Sequence, residues 1–338
     1  MIDLLVVGGG PAGLATALFA ARAGLSTAVV EQRPTPVDKA CGEGLMPGAV
    51  RALDGLGVRP SGRPFRGIRY VDGGRSADAI FGDDSGLGVR RTVLHRALHD
   101  QVLAAGVPIH ECRSSDIEQD GDSVTVAGLT ARYLAAADGL HSPIRRQLRL
   151  GIDDAGPRRF GLRRHFAVVP WSDLVEVHWS ANTEAYVTPV GDNLVGVAIL
   201  GSERSGFADQ LAHFPALSER LPVEAATETR GAGPLRQRVR RRVAGRVLLV
   251  GDAAGYVDAL TGEGIAVSLA CASALVDSVA RNRPAEYERA WIRATRRYRW
   301  ITESLLWTRR RRLLAPAIVP AAAALPRVFR ALVGQLAG

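Results

Sequence analysis

The sequence contains very little lysine and cysteine. Lys39 is the single lysine, so nearly all of the 43 basic residues, and hence the formal charge of +9, come from arginine. The three cysteines, Cys41, Cys112 and Cys271, are odd in number and lack metal-ligand spacing. They predict a reducing compartment, with neither a disulfide framework nor a metal site. We therefore expect a cytoplasmic protein.

Long apolar runs and basic clusters interleaved with aromatic residues are also missing. The start, "MIDLLVVGGG", lacks a basic n-region, so no signal peptide is expected. The stretch "LLAPAIVPAAAALP" is interrupted by Pro316, Pro320 and Pro326, which argues against a membrane-spanning helix. The scattered arginines make nucleic acid an unexpected partner. A chain of 338 residues that is 47% hydrophobic fits a globular enzyme of one large or two interleaved domains.

The N-terminal segment carries a dinucleotide-binding pattern. Gly8, Gly10 and Gly13 form GxGxxG between an apolar strand at 4–7 and an alanine-rich helix. These glycines allow a tight turn, close backbone approach to a pyrophosphate, and close packing of the helix on the strand. Glu31, after the next strand, is placed to bind ribose hydroxyls and would repel a 2′-phosphate. The residues expected to contact the nucleotide here are Gly8, Gly10, Pro11, Ala12, Gly13, Glu31 and Gln32.

Three later motifs favour FAD over NAD at this site. The stretches "RRTVLHRAL", "AADGLHSPIRRQL" and "VLLVGDAAGYVDALTGEGIAVSLACASAL" follow in order. Together with the first motif they resemble flavoproteins similar to p-hydroxybenzoate hydroxylase and geranylgeranyl reductase, over residues 1 to 280. The resemblance implies noncovalent FAD, with contacts from Arg91, Asp138, Gly139, Gly251, Asp252, Gly262, Gly264 and Ile265. Ala259 departs from the family's usual proline in the loop before "LTGEGI".

A second glycine-rich run, "DKACGEGLMPGAV", follows the first unit. It resembles the segment that passes along the flavin in the geranylgeranyl reductase branch. The resemblance implies that Cys41 and Gly42 lie against the ring, where glycine lets backbone pack on a flat surface. The alternative for Cys41 is a small buried side chain without a chemical role.

The fold class expected from these patterns is α/β. A Rossmann-like FAD-binding domain of the p-hydroxybenzoate hydroxylase type would carry an inserted antiparallel β substrate-binding domain and a helical C-terminus. No second Rossmann unit is visible, so NAD(P)H should bind transiently as a cosubstrate. The expected division is FAD-binding parts at 1–70, 71–150 and 241–283, a substrate domain at 151–240, and a helical segment at 284–338. Strands of the substrate sheet can also fall within 71–150.

Two activities of the resembled family compete. One is hydroxylation of an aromatic or phenolic compound with NAD(P)H and O₂, as in monooxygenases encoded beside polyketide pathways. The other is reduction of isoprenoid double bonds. The reductases typically carry a Tyr-x-Trp-x-Phe-Pro motif, of which only Tyr186 and Pro189 are present in "EAYVTPVG". We therefore expect a monooxygenase, with the reductase as the alternative. A halogenase, which needs a catalytic lysine and Trp-x-Trp-x-Ile-Pro, and a non-enzymatic flavin scaffold are less favoured.

The predicted catalytic side chains lie in the β-rich insertion. His165, His178 and Tyr186 are the candidates that could deprotonate or orient a phenol, although an ordinary sheet residue is the more common role of such a histidine. Strand alternation places Glu176 and His178 of "VEVHW" on one face.

The C-terminal segment combines arginine with apolar residues. Arg309 to Arg312 follow Trp307, and a short amphipathic stretch carries Arg327 and Arg330. Two interpretations remain open, a solvated helix closing over the core and peripheral contact with the inner face of an anionic membrane.

Overall fold

The computed structural model describes residues 1–114, 116–154, 156–311 and 313–337. Arg312 of the predicted basic segment lies outside the described residues. The strands are β1 Ile2–Val7, β2 Thr27–Val30, β3 Gly44–Leu45, β4 Arg63–Phe65, β5 Gly67–Asp72, β6 Arg75–Ile80, β7 Gly86–Gly88, β8 Ile109–His110, β9 Glu118–Gln119, β10 Val124–Val126, β11 Leu129–Ala136, β12 Gly151–Ile152, β13 Phe160–Phe166, β14 Val175–Trp179, β15 Thr183–Gly191, β16 Leu194–Gly201, β17 Arg230–Ala232, β18 Arg238–Val239, β19 Val243–Ala244 and β20 Val247–Leu249. The α-helices are α1 Pro11–Arg22, α2 Pro47–Gly55, α3 Arg91–Ala104, α4 Pro143–Gln147, α5 Phe207–Leu211, α6 Pro215–Ser218, α7 Gly264–Ala280, α8 Glu286–Arg309, α9 Ile318–Ala324 and α10 Pro326–Ala337.

The nucleotide-binding layer is a mainly parallel sheet with strand order β19-β20-β11-β1-β2-β8, extended by β10 and β9. Its centre is β1, which pairs in parallel with both β2 and β11. Leu4, Leu5 and Val6 are completely buried, so both faces of this strand are covered and neither is polar, as is usual in a parallel sheet. The sheet brings together chain segments that are far apart in sequence, and it fixes the turns that follow β1, β11 and β20.

The second layer is a seven-stranded sheet with order β17-β13-β16-β15-β14-β5-β6. Neighbouring strands are antiparallel except for β14 and β5, which run parallel. The sheet takes β5 and β6 from residues 67–80, so the predicted domain boundary at residue 70 falls inside β5. The expected α/β architecture with an inserted, largely antiparallel sheet is confirmed.

The two faces of this second sheet have different neighbours. Arg163, Ala198, Tyr186 and Val177 are cross-strand partners in register, so they share one face, which we call the inner face. Val177 and Tyr186 pack there with Leu260 from the loop that precedes α7. On the opposite, outer face, strand residues such as Val187 and Val197 form a core with Phe207 of α5 and Leu217 of α6.

The C-terminal helices close over the substrate sheet. α8 packs along α7, and α9 and α10 lie on β6. Tyr70 of β5 meets Phe329 of α10 with ring centroids 4.7 Å apart. Among the described residues, no single helix is long and apolar enough to cross a bilayer, whereas Ala315–Ala324 and Pro326–Gln335 would suffice together but are bent by 104°.

A buried ionic network joins α8 to the sheet and to the loop before α7. Glu184 is completely buried on the inner face, and its carboxylate pairs with Arg159 at 2.7 Å and with Arg309 at the end of α8. Arg159 also pairs with Asp258 of the loop at 3.0 Å. Such a network is stable only while each charge keeps its partner, so it couples the position of α8 to that of the sheet.

Candidate functional site

The first turn has the geometry that close approach of a nucleotide requires. Gly8 has φ +109°, and a Cβ there would lie 2.3 Å from the carbonyl oxygen of Ala137. A Cβ on Gly13 would lie 1.8 Å from the carbonyl oxygen of Gly8, so the helix rests directly on the turn. Gly10 is different, because its Cβ would meet only Arg91 Nη2, at 3.8 Å. The open side of the turn is therefore at Gly10, and Pro11 and Ala12 begin α1 beside it.

Glu31 lies at the carboxyl end of β2 and closes the turn from the side. Its Oε2 accepts a hydrogen bond from the Gly9 N–H at 2.8 Å, and its Oε1 accepts one from Arg33 Nε at 3.0 Å. Burial alone would raise the pKa of this carboxyl, but the hydrogen bonds from Arg33 and Gly9 hold it below its ordinary value. Gln32, the next residue, is exposed.

Three cations converge in front of the turn. Arg91, the first residue of α3, is 8% exposed, and its Nε has no hydrogen-bond partner among the described residues. Desolvation in the cleft and the charges of Arg33 and Arg91 lower the pKa of Lys39. Arg33 is paired with Glu31, whereas Lys39 and Arg91 have no ion-pair partner among the described residues. Two such cations beside a helix N-terminus fit the pyrophosphate of FAD.

The segment 38–44 lies between the turn and the inner face. A Cβ on Gly42 would meet nothing within 4 Å, so this backbone has room for a flat ring. Cys41 is half-buried, and its Sγ accepts a 3.4 Å hydrogen bond from the Glu43 N–H. Burial raises the pKa of the Cys41 thiol, so the thiol stays protonated at neutral pH.

Glu43 fixes the shape of this segment. It holds φ +59°, a conformation that non-glycine residues rarely adopt, and it is 3% exposed. One carboxylate oxygen accepts from the Arg91 N–H at 2.7 Å and the other contacts His165 Nε2 at 2.6 Å. His165 Nδ1 lies 2.9 Å from Thr227 Oγ1, so both ring nitrogens of this histidine are engaged. Arg163, beside His165, pairs with Asp38.

The turns after β11 and β20 meet through one arginine. Arg145 donates hydrogen bonds to the carbonyl oxygens of Leu140, Asp252 and Ala253. Asp138 Oδ2 accepts from the Ile144 N–H at 3.0 Å, which leaves its Oδ1 without a partner among the described residues. Arg145 therefore holds the two predicted FAD-contacting turns together.

Two glycines of these turns have conformations that a side chain would strain. Gly139 has φ +87°, and its Cβ would lie 3.2 Å from Lys39 Nζ. Gly251 has φ +63°. Desolvation raises the pKa of Asp252, against the charges of Lys39 and Arg91, so this carboxyl lies at the same cleft as the three cations.

The loop before α7 is anchored on two sides. Tyr186 of the inner face donates to the Leu260 carbonyl oxygen at 2.7 Å, and Tyr298 of α8 donates to the Asp258 carbonyl oxygen at 2.8 Å. Gly262 has φ +70° with open space where a Cβ would lie. The helix then begins at Gly264 and Ile265.

Glu263, between two of the predicted contacts, is a titratable group that the sequence did not single out. It is 5% exposed, and its Oε2 lacks a hydrogen-bond partner among the described residues. Burial raises its pKa to about 7, and only Arg297 opposes the shift. A signal for it was present in the sequence, because the carboxylate lies between Gly262 and Gly264.

The three predicted catalytic side chains are separated by the structure. His165 and Tyr186 lie on the inner face, where His165 contacts Glu43 and Tyr186 donates a hydrogen bond to the Leu260 carbonyl oxygen. His178 lies on the outer face, 3.0 Å from Glu176, which also accepts from Trp171 Nε1 at 3.1 Å. Burial raises the pKa of Tyr186 well above its ordinary value, so this phenol donates its hydrogen bond rather than serving as a base.

A buried aromatic cluster lies next to the loop on the inner face. Tyr70 and Trp179 meet edge to face with centroids 5.2 Å apart, and Val257 and Leu260 of the loop belong to the same cluster. Tyr70 is half-buried, and its hydroxyl, which is not among the fully buried unpaired groups, makes no hydrogen bond to another described residue. Burial and the nearby Glu184 raise its pKa, so it too is a donor at neutral pH.

Among the described residues, no group of three or more His, Cys, Asp or Glu side chains could hold a metal ion.

The parallel sheet, the glycine turn at the N-terminus of α1 and the cationic cleft define a FAD-binding oxidoreductase. A model of the FAD binding domain family matches residues 1–282, and the chain belongs to this family. The expected resemblance and the cofactor FAD are thereby confirmed, and NAD(P)H is the reductant typical of the family.

Relatives with two kinds of activity are similar to this chain. Digeranylgeranylglycerophospholipid reductase 1 of Methanopyrus kandleri is 31% identical over 302 residues, 80% of this chain and 78% of the relative. 3-Amino-4-hydroxybenzoate 2-monooxygenase of Streptomyces cremeus is 30% identical over 290 residues, 75% of this chain and 72% of the relative. A solved flavoprotein/dehydrogenase from Cytophaga hutchinsonii superposes with TM-score 0.88 at 20% identity, covering 99% of this chain and 92% of that one, which shows the shared fold.

Proposed function

We propose that this protein is an FAD-dependent monooxygenase that uses NAD(P)H and O₂ to hydroxylate an aromatic, phenol-like compound. The observation that carries the proposal is the half-buried Tyr70, whose hydroxyl makes no hydrogen bond to another described residue, beside the buried aromatic cluster next to the loop 257–264. A phenolic oxygen would accept a hydrogen bond from this hydroxyl, which a hydrocarbon chain cannot do. The ring would pack edge to face on Tyr70 and Trp179.

FAD, when bound and reduced by NAD(P)H, supplies the electrons for oxygen activation. In this proposal Gly8, Gly10 and Gly13 admit the pyrophosphate, and Lys39 and Arg91 neutralise it. Gly42 and Gly262 present backbone to the ring system, and Asp252 and Glu31 bind hydroxyl groups. His165 and Tyr186 act as positioning residues, since the first holds Glu43 and the second holds the Leu260 carbonyl.

The second function that a specific observation favours is reduction of an isoprenoid double bond. The Cys41 thiol is kept protonated beside Gly42, so it could deliver a proton to a substrate carbon after hydride transfer. The relative at 31% identity is a reductase by name. The two functions differ in their need for O₂ and for this thiol.

The surface of the C-terminal helices supports peripheral contact with an anionic membrane as part of the proposed function. Trp300, Trp307 and Leu313 are 66%, 55% and 92% exposed, close to Arg310 and Arg311. Exposed apolar side chains with arginine nearby suit the interface of an anionic bilayer. Flotation with phosphatidylglycerol vesicles, but not with phosphatidylcholine vesicles, would support this contact.

The test of the main proposal is a panel of phenols and isoprenoids offered to FAD-loaded protein, with NAD(P)H oxidation followed in air and under nitrogen. We expect a phenol to stimulate oxidation in air together with O₂ consumption.

The Tyr70→Phe variant should raise KM for that phenol about tenfold, the scale of one lost hydrogen bond, with kcat little changed. Tyr133→Phe, in the nucleotide-binding sheet, is the matched control and should leave KM unchanged. Product formation under nitrogen with an isoprenoid, lost in Cys41→Ser, would establish the reductase instead.

A further inference from the structure

A cavity of about 350 Å³ lies behind the loop that precedes α7. Its walls come from β18, α7, α8 and residues 255–257 of the loop. It borders three of the predicted FAD contacts, Gly251, Asp252 and Gly264, but the described residues that line it include none of the first glycine turn, Glu31, Arg91 or the segment 38–44. The cavity therefore adjoins the cleft assigned to FAD at the turn after β20 without including the first glycine turn, and its volume is within the range of small-molecule sites.

Two of the arginines that line this cavity are already paired. Arg242 bonds Glu288 at 2.8 Å and stacks on Trp291, with the guanidinium carbon 3.7 Å from the ring centroid. Arg236 Nε lies 2.8 Å from Asp154 Oδ2. These pairs are the framework of the cavity and leave no free charge on either arginine.

Two further arginines in the lining have no ion-pair partner among the described residues. Arg299 lies over the same Trp291 ring at 5.3 Å, and Arg238 is exposed at the mouth on β18. Burial lowers the pKa of Arg299, as do the charges of Arg242 and Arg236, whereas the carboxylate of Glu303, which also lines the cavity, raises it. The described lining carries four arginines against two carboxylates, Asp252 and Glu303, so its formal charge is positive.

The cavity also contains an unsatisfied polar group. Thr295, one turn before Arg299 on α8, is 2% exposed and lines the cavity. Its Oγ1 has no hydrogen-bond partner among the described residues. A hydroxyl buried without a partner costs free energy that a bound acceptor would recover.

We infer that this cavity is a second ligand site, which binds a small aromatic anion. Arg299 and Arg238 would pair with the anionic group, Thr295 Oγ1 would donate to it, and the ring would pack against Trp291 and Tyr256. The inference does not depend on the proposed reaction, because it concerns binding behind the flavin loop.

The probe is 1-naphthyl phosphate, titrated calorimetrically into FAD-saturated protein, with inorganic phosphate and 1-naphthol in parallel. We expect one site, with 1-naphthyl phosphate bound at least tenfold more tightly than either part alone. Arg299→Ala should weaken binding about tenfold, the scale of one charge-assisted hydrogen bond, and Thr295→Val about threefold. Arg238→Ala, at an exposed position, provides the same test if Arg299→Ala fails to fold.

The matched control is Arg296→Ala, which removes an exposed arginine of the same helix that is outside the cavity lining. It should leave the affinity unchanged, and the flavin content of every variant should match that of the wild type. The inference is overturned if saturable binding is absent, if phosphate or 1-naphthol alone binds as tightly, or if Arg296→Ala weakens binding as much as the cavity variants do. Binding measured without turnover stays interpretable even if the monooxygenase proposal fails.

Discussion

Gly10 and Gly13 belong to one motif, but their surroundings give them different roles. A Cβ at Gly13 would overlap the Gly8 carbonyl oxygen, whereas a Cβ at Gly10 faces the open cleft. We predict that Gly13→Ala destabilises the fold by about 1–3 kcal/mol, because backbone must shift to admit the methyl group. Gly10→Val should keep a near-native Tm and lose the yellow colour of bound flavin. Thermal unfolding and flavin absorbance measure the two effects, and a Gly13→Ala protein as stable as wild type would contradict the packing.

Glu263 predicts a specific pH dependence of stability. Its pKa is about 7 in the folded protein and 4.5 in a model peptide, so the folded state holds the proton between these values while the unfolded state loses it. Stability therefore falls as pH rises through this window and is flat above it. Glu263→Gln removes the effect, so its advantage over wild type should grow from nearly zero at pH 4 to about 3 kcal/mol at pH 8.

Urea unfolding of both proteins across this pH range gives the difference directly. An advantage that is the same at pH 4 and pH 8 would mean that Glu263 is not desolvated as the structure shows.

The sequence predicted the position of a residue correctly where that position depends on the local backbone alone. The glycine turn and Glu31 are placed as expected, because a strand–turn–helix unit is specified within 31 residues. Glu43 was not predicted, since neither its positive φ nor its contact with His165, 122 positions away, follows from local pattern. The roles of the predicted FAD-contacting residues stay predictions until the cofactor complex is measured.

At the scale of elements, alternation in "VEVHW" predicted a strand with Glu176 and His178 on one face, and β14 covers these residues. The membership of β5 in the same sheet was not predicted, since its parallel pairing with β14 joins segments about 100 residues apart. Pairing of that kind depends on tertiary packing. The packing of α9 and α10 on β6 also lay beyond what their composition indicates.

The network that joins α8 to the sheet gives a prediction about elements. Glu184→Leu leaves Arg309 and Arg159 buried without their shared carboxylate, so it should cost about 3–5 kcal/mol. Arg309→Met should cost less, because Glu184 keeps Arg159. Urea unfolding measures both, with Glu286→Gln at the exposed start of α8 as the control. Equal losses in Glu184→Leu and Arg309→Met would show that the carboxylate does not bridge the two arginines.

For the whole molecule, the fold and the cofactor were predicted from the order of the motifs along the chain. That order is unaffected by a single departure from the family pattern, such as Ala259 in place of the usual proline. The reaction does not follow from the fold, because relatives of both kinds share it. In the proposed function, the two reactions are distinguished by the residues between the inner face and the loop before α7, where Tyr70 would donate a hydrogen bond to a phenol and Cys41 would donate a proton to a double bond.

The most direct test of the proposed reaction is mass spectrometry of the product formed by FAD-loaded protein with NAD(P)H and a stimulating phenol under ¹⁸O₂. Water exclusion beside the flavin should couple reduction to oxygen transfer. We predict a product heavier than the substrate by one ¹⁸O atom, with no label when ¹⁸O is supplied as water. A product that gains two hydrogens and no oxygen, formed equally well under nitrogen, would contradict the monooxygenase proposal.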